Sequence, residues 1–558
     1  MTVKRSLATI FALSMIFASV SCGNDTPEAD SSTGSQKSES KDENNTVRHF
    51  SGVYSARLQT VSEGNDIQQL IAEKTGVILD QQFIADQDDI DKTFSDMIIS
   101  NKYSDYMAPD GENAQKLIKE GAFIPLDNYW DDYPNIKNLY TEKEWNRVRS
   151  NSSDGHIYYI PLFSAVNIKD TKPTYSGEAF WIQTKVLEWD NYPELKTLDD
   201  YFDLIERYME ANPVNEDGEK YYGYEIEAND AWFFALDNPP MFLDGYPNDG
   251  CCKVDTQKLE AIDYNLSPTA EKWFRKLNEE YQKGVIDSEC FLMNSDQYYS
   301  KIASGRVLGM VDQAWNFNSA AKGLPDECTY IPFGLTIDED ITEHYRDQTA
   351  FNDSTGVGIS ISCDDPEAAM KFLSDLLEPE IHNLRFWGIE GEDYTVDSDG
   401  VFHQSDQQFE NSNNAEYKLS HFCIYDYMPQ IQGMAPDGIN AYTPSNQPNI
   451  FYDHLSEDVR KCFKAYGVQT FSEMLNEPQE NPDWYPMWSF SNAATDETDY
   501  GKVMKQMDTA KHQYLPLVVM SEDFDSAWET YKEEYGKINT QLFFDELTAE
   551  IHRRCEEY

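Results

Sequence analysis

Short apolar runs alternate with amphipathic stretches along the first part of the chain, from residue 48 to about residue 120. The apolar runs have the length of strands and predict β-strands at Val53-Tyr54, Val77–Leu79 and Tyr106-Met107. The stretches beside them have the capping residues and apolar spacing of helices, which are predicted after Asn65-Asp66 and over Asp89–Ser100 and Glu112–Glu120. This order of strand and helix predicts an α/β fold with a parallel sheet.

Asp110 directly follows the third of these predicted strands. Ligands of parallel α/β sheets bind beyond the carboxyl ends of the strands, so Asp110 is a candidate ligand-binding residue. The same carboxylate is equally suited to cap the helix that follows it, and one side chain can serve both roles.

The rest of the chain continues the mixture of strands and helices. Further strands are predicted at Ile157–Leu162, Phe180–Thr184, Arg306–Val311 and Gly356–Ser362. Further helices are predicted after Thr197 with Asp200 in the capping-box position, from Ser267-Pro268 to Gly284, and after Asp365-Pro366. A last helix has Trp528, Tyr531 and Tyr535 on one face.

The segment Phe386–Gly400 joins an aromatic step to a glycine-spaced acidic turn and a hairpin-like tip at Asp397–Gly400. We expect it to be a structural junction near a hinge. Glu390 within it is a candidate for ligand contact, and the alternative is a role in stabilising the turn.

The chain is strongly acidic, with a formal net charge of −56 over 558 residues. Such a surface repels phosphate backbones and anionic head groups, which argues against nucleic-acid binding. A hydrophobic content of 40% is ample for a large core and predicts two or more domains or lobes.

The first 21 residues have the pattern of a signal peptide, with Lys4 and Arg5 before an apolar run from Leu7 to Val20. Ser19–Cys22 resembles a bacterial lipobox, although Ser19 stands where that pattern usually has leucine. We therefore expect a lipidated Cys22 that begins a disordered tether over residues 22–47, because this segment is too polar to fold. The alternative is an ordinary secretory signal with a nearby cysteine.

Eight further cysteines follow Cys22, without CxxC or Cys/His ligand spacing, so a zinc site is not predicted. Adjacent Cys251 and Cys252 can each pair elsewhere or remain free thiols. The sequence does not choose between these alternatives.

Several segments together resemble the extracellular solute-binding protein family 1 of bacterial ABC importers, above all its large Gram-positive lipoprotein branch. The matching segments are Asn65–Val77, Gly121–Asp127, Asp154–Pro161, Lys301–Gly309, Pro366–Glu390 and Ala527–Tyr535. The resemblance implies a two-lobed periplasmic-binding-protein-like α/β fold (type II) with a hinge and a ligand cleft between the lobes. One lobe would cover residues 48–168 plus 345–430, and the other residues 169–344 plus 431–558.

The resemblance also implies a function. The chain is expected to be a monomeric lipoprotein on the extracellular face of the cell membrane, which captures a solute, most readily an oligosaccharide, for an ABC permease. Many relatives have a calcium loop, but here Asn215–Gly218 keeps only a fragment of it, and the later acidic ligand is missing. We therefore interpret this fragment as a surface turn and expect neither metal nor cofactor.

Sugar rings stack on aromatic side chains, and their hydroxyl groups bind carboxylates and amides. Trp315 is the first candidate because it follows a predicted strand, among polar residues, where relatives often present a ring to the ligand. The other candidates, besides Asp110 and Glu390, are Trp181, Trp232, Asp312, Asn316, Trp484 and Trp488.

Other functions remain open. A secreted glycan-active enzyme needs two carboxylates, but no motif selects a pair among the 100 acidic residues. A surface glycan-binding lipoprotein without a transporter is a second alternative, against which the α/β order of the first third argues. A peptide-binding ABC lipoprotein is a third, because aromatic rings and carboxylates also bind peptides.

Overall fold

Two large β-sheets organise the chain, and helices pack around each of them. The computed structural model describes residues 47–557 except residues 57, 110, 229–231, 248–250, 349–350, 354–355, 492–493 and 495–497. The predicted signal peptide, the lipidation site Cys22, the tether up to residue 46 and the candidate Asp110 therefore lie outside the described residues.

The strands fall into two large sheets and several small pairs. They are β1 (Arg48–Ser55), β2 (Val77–Ile84), β3 (Tyr106–Ala108), β4 (Ile160–Pro161), β5 (Val166–Asn167), β6 (Glu178–Gln183), β7 (Tyr222–Glu225), β8 (Lys253–Asp255), β9 (Glu260–Ile262), β10 (Val307–Gln313), β11 (Tyr330–Phe333), β12 (Gly356–Ile359), β13 (Thr395–Val396), β14 (Phe402–His403) and β15 (Gln432–Gly433). Sheet A has the order β2-β1-β3-β12-β4, and sheet B has the order β11-β6-β10-β7.

The α-helices connect and cover these strands. They are α1 (Asp66–Thr75), α2 (Gln87–Ser100), α3 (Gly111–Lys119), α4 (Pro134–Lys137), α5 (Glu142–Ser150), α6 (Thr184–Trp189), α7 (Leu198–Ala211), α8 (Phe234–Asp237), α9 (Pro239–Leu243), α10 (Pro268–Lys283), α11 (Ser295–Ala303), α12 (Ala314–Ala321), α13 (Pro366–Asp375), α14 (Pro379–Phe386), α15 (Asp406–Asn413), α16 (Ala415–His421), α17 (Pro448–Asp453), α18 (Glu457–Tyr466), α19 (Trp488–Ser491), α20 (Asp499–Met520), α21 (Phe524–Tyr535) and α22 (Gln541–Glu557).

Sheet A begins with the predicted parallel unit. β1 pairs in parallel with both β2 and β3, and α1 starts and ends where its caps predict. The Asn65 side chain accepts a hydrogen bond from the Gln68 amide, and Gly76 ends the helix in the left-handed conformation that glycine adopts most readily. The strand predicted at Ile157–Leu162 is shorter, since only Ile160–Pro161 pairs with β12. Upstream, Ile157 instead bonds with the Leu126–Asp127 loop.

Sheet B has β6 at its centre, antiparallel to both β10 and β11, whereas β7 runs parallel to β10. The strand predicted at Arg306–Val311 extends to Gln313, so Asp312 and Gln313 are strand residues and Trp315 lies in the first turn of α12. Both faces of β6 and β10 are buried, because helices cover sheet B on each side.

The buried apolar residues form two main cores. Core A runs from Phe50 to Ala165 and continues from Val357 to Met428, with a smaller cluster around Val53 and Met107 on the opposite face of sheet A. Core B runs from Ala179 to Tyr345 and continues from Val459 to Ile551. The chain therefore passes between the two cores within residues 166–178, 346–356 and 429–458.

Two of these crossing segments pair with each other. β5 lies parallel to β15, with Val166 opposite Gln432 and Asn167 opposite Gly433. The Gln432 amide donates to the Ala165 carbonyl at 2.8 Å, and the Asn167 side-chain amide donates to the Met434 carbonyl at 2.7 Å. This pair, with its flanking bonds, is called the crossing ribbon below.

The segment 386–400 is a junction built around a buried tryptophan. Trp387 is fully buried, packs against Tyr394 and Phe402, and donates its indole N–H to the Ala441 carbonyl at 3.0 Å. The predicted hairpin tip at Asp397–Gly400 joins β13 to β14, which pair in antiparallel register. The segment thus ties the end of α14 to residues near α17.

Arg385, one residue before this segment, is fully buried in core A. Its guanidinium donates to the Leu376 carbonyl at 2.9 Å and to the Ile424, Tyr425 and Pro429 carbonyls at 2.8, 3.2 and 2.7 Å. Leu376 lies at the end of α13, and the other carbonyls belong to the loop after α16. One side chain therefore joins a helix end to a loop more than 45 residues away along the chain.

Seven of the described cysteines are free thiols, namely Cys251, Cys290, Cys328, Cys363, Cys423, Cys462 and Cys555. The calcium-loop fragment forms a turn in which the Asn215 side chain accepts from the Asp217 and Glu219 amides at 3.1 and 2.8 Å. Among the helices of the described residues, none is both long and apolar enough to cross a membrane.

Candidate functional site

The carboxyl end of sheet B gathers four of the nine predicted ligand-binding residues. β7 and β10 run parallel, so their last residues, Glu225 and Gln313, reach the same end of the sheet. The antiparallel β6 begins at this end, with Glu178 directly opposite Gln313. Side chains that follow β7 and β10 therefore meet here, as is typical of ligand sites in α/β folds.

Two tryptophans meet at this end of the sheet. Trp315 in α12 is 55% exposed, and Trp232, which is partly buried, lies just before α8. Their ring centroids are 5.5 Å apart, and the ring planes make an angle of 53°. The Trp315 indole N–H donates to the Gln313 side-chain oxygen, which holds the ring in place. The pair presents aromatic surface to solvent in a fixed orientation.

A buried polar network lies next to Trp315 along the chain. The Asn316 side-chain amide donates to Glu227 at 2.9 Å and to both carboxylate oxygens of Asp312 at 3.1 Å. Asp312 also accepts from the Tyr298 hydroxyl at 2.8 Å, and Asn316 accepts from the Tyr299 hydroxyl at 2.5 Å. The network connects the ends of β7 and β10 with α11 and α12, so it fixes the positions of the residues around the tryptophans.

Burial controls the electrostatics of this network. It raises the pKa of Asp312 to about 7, although hydrogen bonds from Tyr298 and Asn316 act in the opposite direction. Burial also raises the pKa of Glu178 well above its ordinary value, against a hydrogen bond from Asn238. Glu227 is 2% exposed, and its Oε1 atom has no hydrogen-bond partner in the structure. A buried carboxylate oxygen without a partner is costly, and a ligand hydroxyl would satisfy it.

The structure brings together Trp315, Trp232, Asp312 and Asn316 of the residues proposed from the sequence. Their roles differ, because the tryptophans are accessible whereas Asp312 and Asn316 are 1% and 9% exposed. We therefore revise the interpretation of the two polar residues. Their side chains bond to each other and hold the site in shape from below, so direct contact with a ligand is left to the rings and to the unpartnered Glu227 oxygen.

Trp181 and Trp484 are each 3% exposed and lie deeper than Trp315, and their contact with a ligand stays a prediction. Trp181 packs against Phe317 and donates to the Asp312 carbonyl at 2.8 Å, so it supports the network from inside sheet B. Trp484 belongs to core B.

The remaining candidates lie in other elements. Trp488 begins α19 and is 45% exposed. Glu390 is exposed and bridges to Tyr394 within the junction, consistent with a residue of a turn. Asp110 lies outside the described residues.

Glu227 and Tyr299 are the residues of this site that the sequence did not single out. Glu227 follows β7, whose short alternating pattern is a weak strand signal. Tyr299 lies in α11, whose start at Asn294 carries a capping box with Gln297 that identifies the helix but not its contacts. Both approach Asn316 from distant parts of the chain.

The chemistry of the site favours binding of a polyhydroxylated molecule. Flat rings provide stacking surfaces, and the unpartnered carboxylate oxygen accepts a hydroxyl hydrogen. Within the described ranges, no group of three or more His, Cys, Asp or Glu side chains is arranged to hold a metal ion.

Known proteins resemble this chain in sequence and in fold. The sequence profile of a family described as bacterial extracellular solute-binding protein matches residues 72–389. The fructooligosaccharide ABC transporter substrate-binding protein FusA of Streptococcus pneumoniae serotype 4 is 27% identical over 253 residues, which is 42% of this chain and 44% of that protein. The chain thus matches less than half the length of this curated relative.

Two solved structures share the fold. One is an HMO-binding, ABC-transporter-associated solute-binding protein of Bifidobacterium longum infantis, with 13% identity, a TM-score of 0.53 and coverage of 90% of this chain and 98% of that one. The other is an extracellular solute-binding protein of Bifidobacterium longum subsp. infantis, with 14% identity, a TM-score of 0.50 and coverage of 91% and 98%. These similarities confirm the predicted two-lobed α/β fold.

Proposed function

The chain belongs to the bacterial extracellular solute-binding protein family, and on this premise we propose that it captures an oligosaccharide outside the cell for an ABC-type import permease. The observation that carries the choice of ligand is the Trp232–Trp315 pair at the carboxyl end of sheet B. Sugar rings present C–H faces that stack on indoles, and the unpartnered Glu227 oxygen accepts a sugar hydroxyl. The similarity to FusA, a fructooligosaccharide ABC transporter substrate-binding protein, supports the same class of ligand.

The two cores correspond to the two lobes of this proposal. We assign residues 48–168 plus 345–430 to lobe 1 and residues 169–344 plus 431–558 to lobe 2. The proposed boundaries after residues 168 and 430 fall within segments where the chain passes between core A and core B, whereas the boundary after residue 344 lies just before such a segment, since Tyr345 still packs in core B. Solute in the cleft bridges both lobes and favours a closed form, which the permease recognises. X-ray scattering tests this step: saturating oligosaccharide reduces the radius of gyration, and an unchanged radius contradicts closure. The same curves report whether the protein is a monomer.

The binding experiment uses the folded chain without the signal peptide. Isothermal titration with a panel of neutral fructo-, manno-, xylo- and cello-oligosaccharides identifies the tightest binder. Trp315→Ala weakens that binding about tenfold or more, as expected for a central aromatic contact. Trp189→Ala is the matched control, because Trp189 is also exposed, at 41%, but packs with Tyr208 in another part of core B.

The outcomes of this experiment separate the alternatives. Binding of peptides but of no carbohydrate refutes the choice of ligand. Appearance of shorter sugars during incubation refutes the proposal that the protein performs no reaction on its ligand. Equal losses in Trp315→Ala and Trp189→Ala would mean that the effect comes from general destabilisation and not from the site.

Anchoring through Cys22 completes the proposed function. A diacylglycerol on this cysteine would hold the folded body at the extracellular face of the membrane, and the polar residues that follow would act as a tether. The net charge of −56 would keep the body away from anionic lipids. Mass spectrometry of the membrane-extracted protein tests this: a lipid-modified Cys22 is expected, and release of Cys22→Ser into the medium is the expected consequence of losing it.

A further inference from the structure

Phe163 is an exposed aromatic residue in a strained conformation. It follows β4 after one residue, and its side chain is 42% exposed. Its φ angle is +65°, in the left-handed region that residues with a Cβ rarely adopt. Bulky residues are retained in this region when the surrounding structure enforces it, and such positions cluster at ligand sites.

Phe163 is held at the carboxyl end of sheet A by other aromatic rings. Its ring meets Tyr427 edge-on, with centroids 5.6 Å apart and planes at 86°. Tyr427 in turn packs on Tyr54 at 5.7 Å and on Phe83 at 6.4 Å. Tyr54 and Phe83 are the next-to-last residues of the parallel strands β1 and β2 and lie opposite each other. Phe163 therefore stands at the end of sheet A where ligands of parallel sheets bind.

A pocket of about 520 Å³ lies beside Phe163 and has the size of a small-molecule site. Its wall combines aromatic rings such as Phe386 and Phe409 with the polar side chains of Gln404 and His454. The Gln404 side-chain oxygen and the His454 Nε2 atom are buried and make no hydrogen bond. His454 Nδ1 lies 2.8 Å from the Ile450 carbonyl, so Nδ1 carries a proton, and in the neutral ring Nε2 is an acceptor. The Asp406 carboxylate is 3.9 Å from Nε2.

We propose that Phe163 is a second stacking residue for the carbohydrate and that sugar units beside it enter this pocket, donating hydroxyl hydrogens to Gln404 and His454. The proposal rests on the proposed function, and it adds a binding surface around Phe163 that no sequence motif indicates. Its polar partners are both acceptors, which matches the hydroxyl donors of a neutral sugar. A ligand that reaches this pocket in addition to the Trp232–Trp315 pair is an oligosaccharide and not a monosaccharide.

The alternative role for Phe163 is to cover the apolar surface of Tyr427. Phe163→Gly separates the two roles, because glycine adopts a positive φ without strain but removes the ring. A stacking role predicts that Phe163→Gly binds the tightest oligosaccharide of the panel about tenfold more weakly, with a melting temperature equal to or above that of the wild type. A covering role predicts a lower melting temperature and unchanged affinity.

The experiment is isothermal titration of the wild type, Phe163→Gly, Gln404→Leu and Trp189→Ala with the oligosaccharides. Differential scanning calorimetry gives the melting temperature of each protein. Phe163→Gly and Gln404→Leu are expected to lose affinity, and the loss should be greater for longer than for shorter members of the same oligosaccharide series. Trp189→Ala should bind like the wild type. Affinity of Phe163→Gly within twofold of the wild type overturns this inference, and if Trp315→Ala is still impaired, the proposed function stands. A wild-type protein that binds no carbohydrate of the panel overturns both.

Discussion

Replacing Arg385 with methionine removes the donor for several buried carbonyl groups while keeping an unbranched side chain of similar length. The guanidinium makes hydrogen bonds to the Leu376, Ile424, Tyr425 and Pro429 carbonyls, and none of these donors is exposed to solvent. After the substitution, the Leu376, Ile424 and Pro429 carbonyls lose this donor, whereas the Tyr425 carbonyl still accepts from the Met428 amide at 2.9 Å. We expect this to be the largest effect of a single polar substitution in core A.

The magnitude follows from the hydrogen bonds that are lost. Each hydrogen bond from the guanidinium to a carbonyl contributes about 1 kcal/mol or more, so those of Arg385 together correspond to about 4 kcal/mol. Burial lowers the pKa of Arg385 to about 10, which leaves the group charged at neutral pH and shows that its desolvation is unfavourable. Removing the charge offsets part of the loss, so we use the lower value for each carbonyl. Arg385→Lys is also destabilising, because an ammonium group cannot reach carbonyls spread around a planar fork.

Urea denaturation and calorimetry measure this effect. A loss of about 4 kcal/mol corresponds to a fall of about 8 to 16 °C in the melting temperature of a cooperative unit of roughly 200 residues, which is about the size of the lobe around core A. Arg207→Met is the matched control, since Arg207 is exposed and its ion pairs with Asp190 and Asp203 contribute less than about 1 kcal/mol. Stability of Arg385→Met within about 1 kcal/mol of the control would refute the view that the carbonyls depend on this side chain.

Two further predictions concern buried charges. Lys511→Met breaks the buried ion pair with Asp237, in which the charged atoms are 2.8 Å apart, and is expected to lower the free energy of unfolding, measured by urea denaturation, by about 3 to 5 kcal/mol. The double variant Lys511→Met, Asp237→Leu is expected to recover most of this stability, and no recovery would contradict the pairing. His421 lies 2.9 Å from both Asp66 and Asp393, and although burial opposes protonation, these hydrogen bonds raise the pKa of His421. Its stabilising effect is therefore complete below the unfolded pKa of about 6.5 and is lost as the pH rises through the higher pKa of the folded state. The difference in free energy of unfolding between the wild type and His421→Gln should shrink over that pH range, and a constant difference would refute this role of His421.

Local signals in the sequence predict the elements well where capping residues define them. The helices that begin after Asn65, Thr197 and Ser267 start where predicted, because each cap side chain binds an amide of its own first turn. These contacts involve neighbours in sequence. The position of β12 between β3 and β4 depends instead on pairing between distant segments, and no local pattern encodes it.

The candidate site shows the same division. Trp315 and Asn316 follow a strand and are identifiable from the sequence, but Glu227 reaches Asn316 across 89 residues. The depth of Trp181 could not be predicted, because β6 is buried on both faces and therefore lacks the alternation that distinguishes an inward from an outward side chain. Phe163 was missed because an exposed phenylalanine in a loop has no pattern, and its strained φ is visible only in the structure.

The crossing ribbon has a mechanical consequence. Because β5 and β15 are bonded side by side, with further hydrogen bonds from the Met434 amide to the Asn167 and Lys169 carbonyls, these two connections cannot slide past each other without breaking those bonds. Two connections that are hydrogen-bonded side by side resist sliding and stretching in their plane, whereas they bend and twist more easily. We therefore expect these two connections to allow relative movement of the two halves by bending or twisting of the ribbon more easily than by sliding.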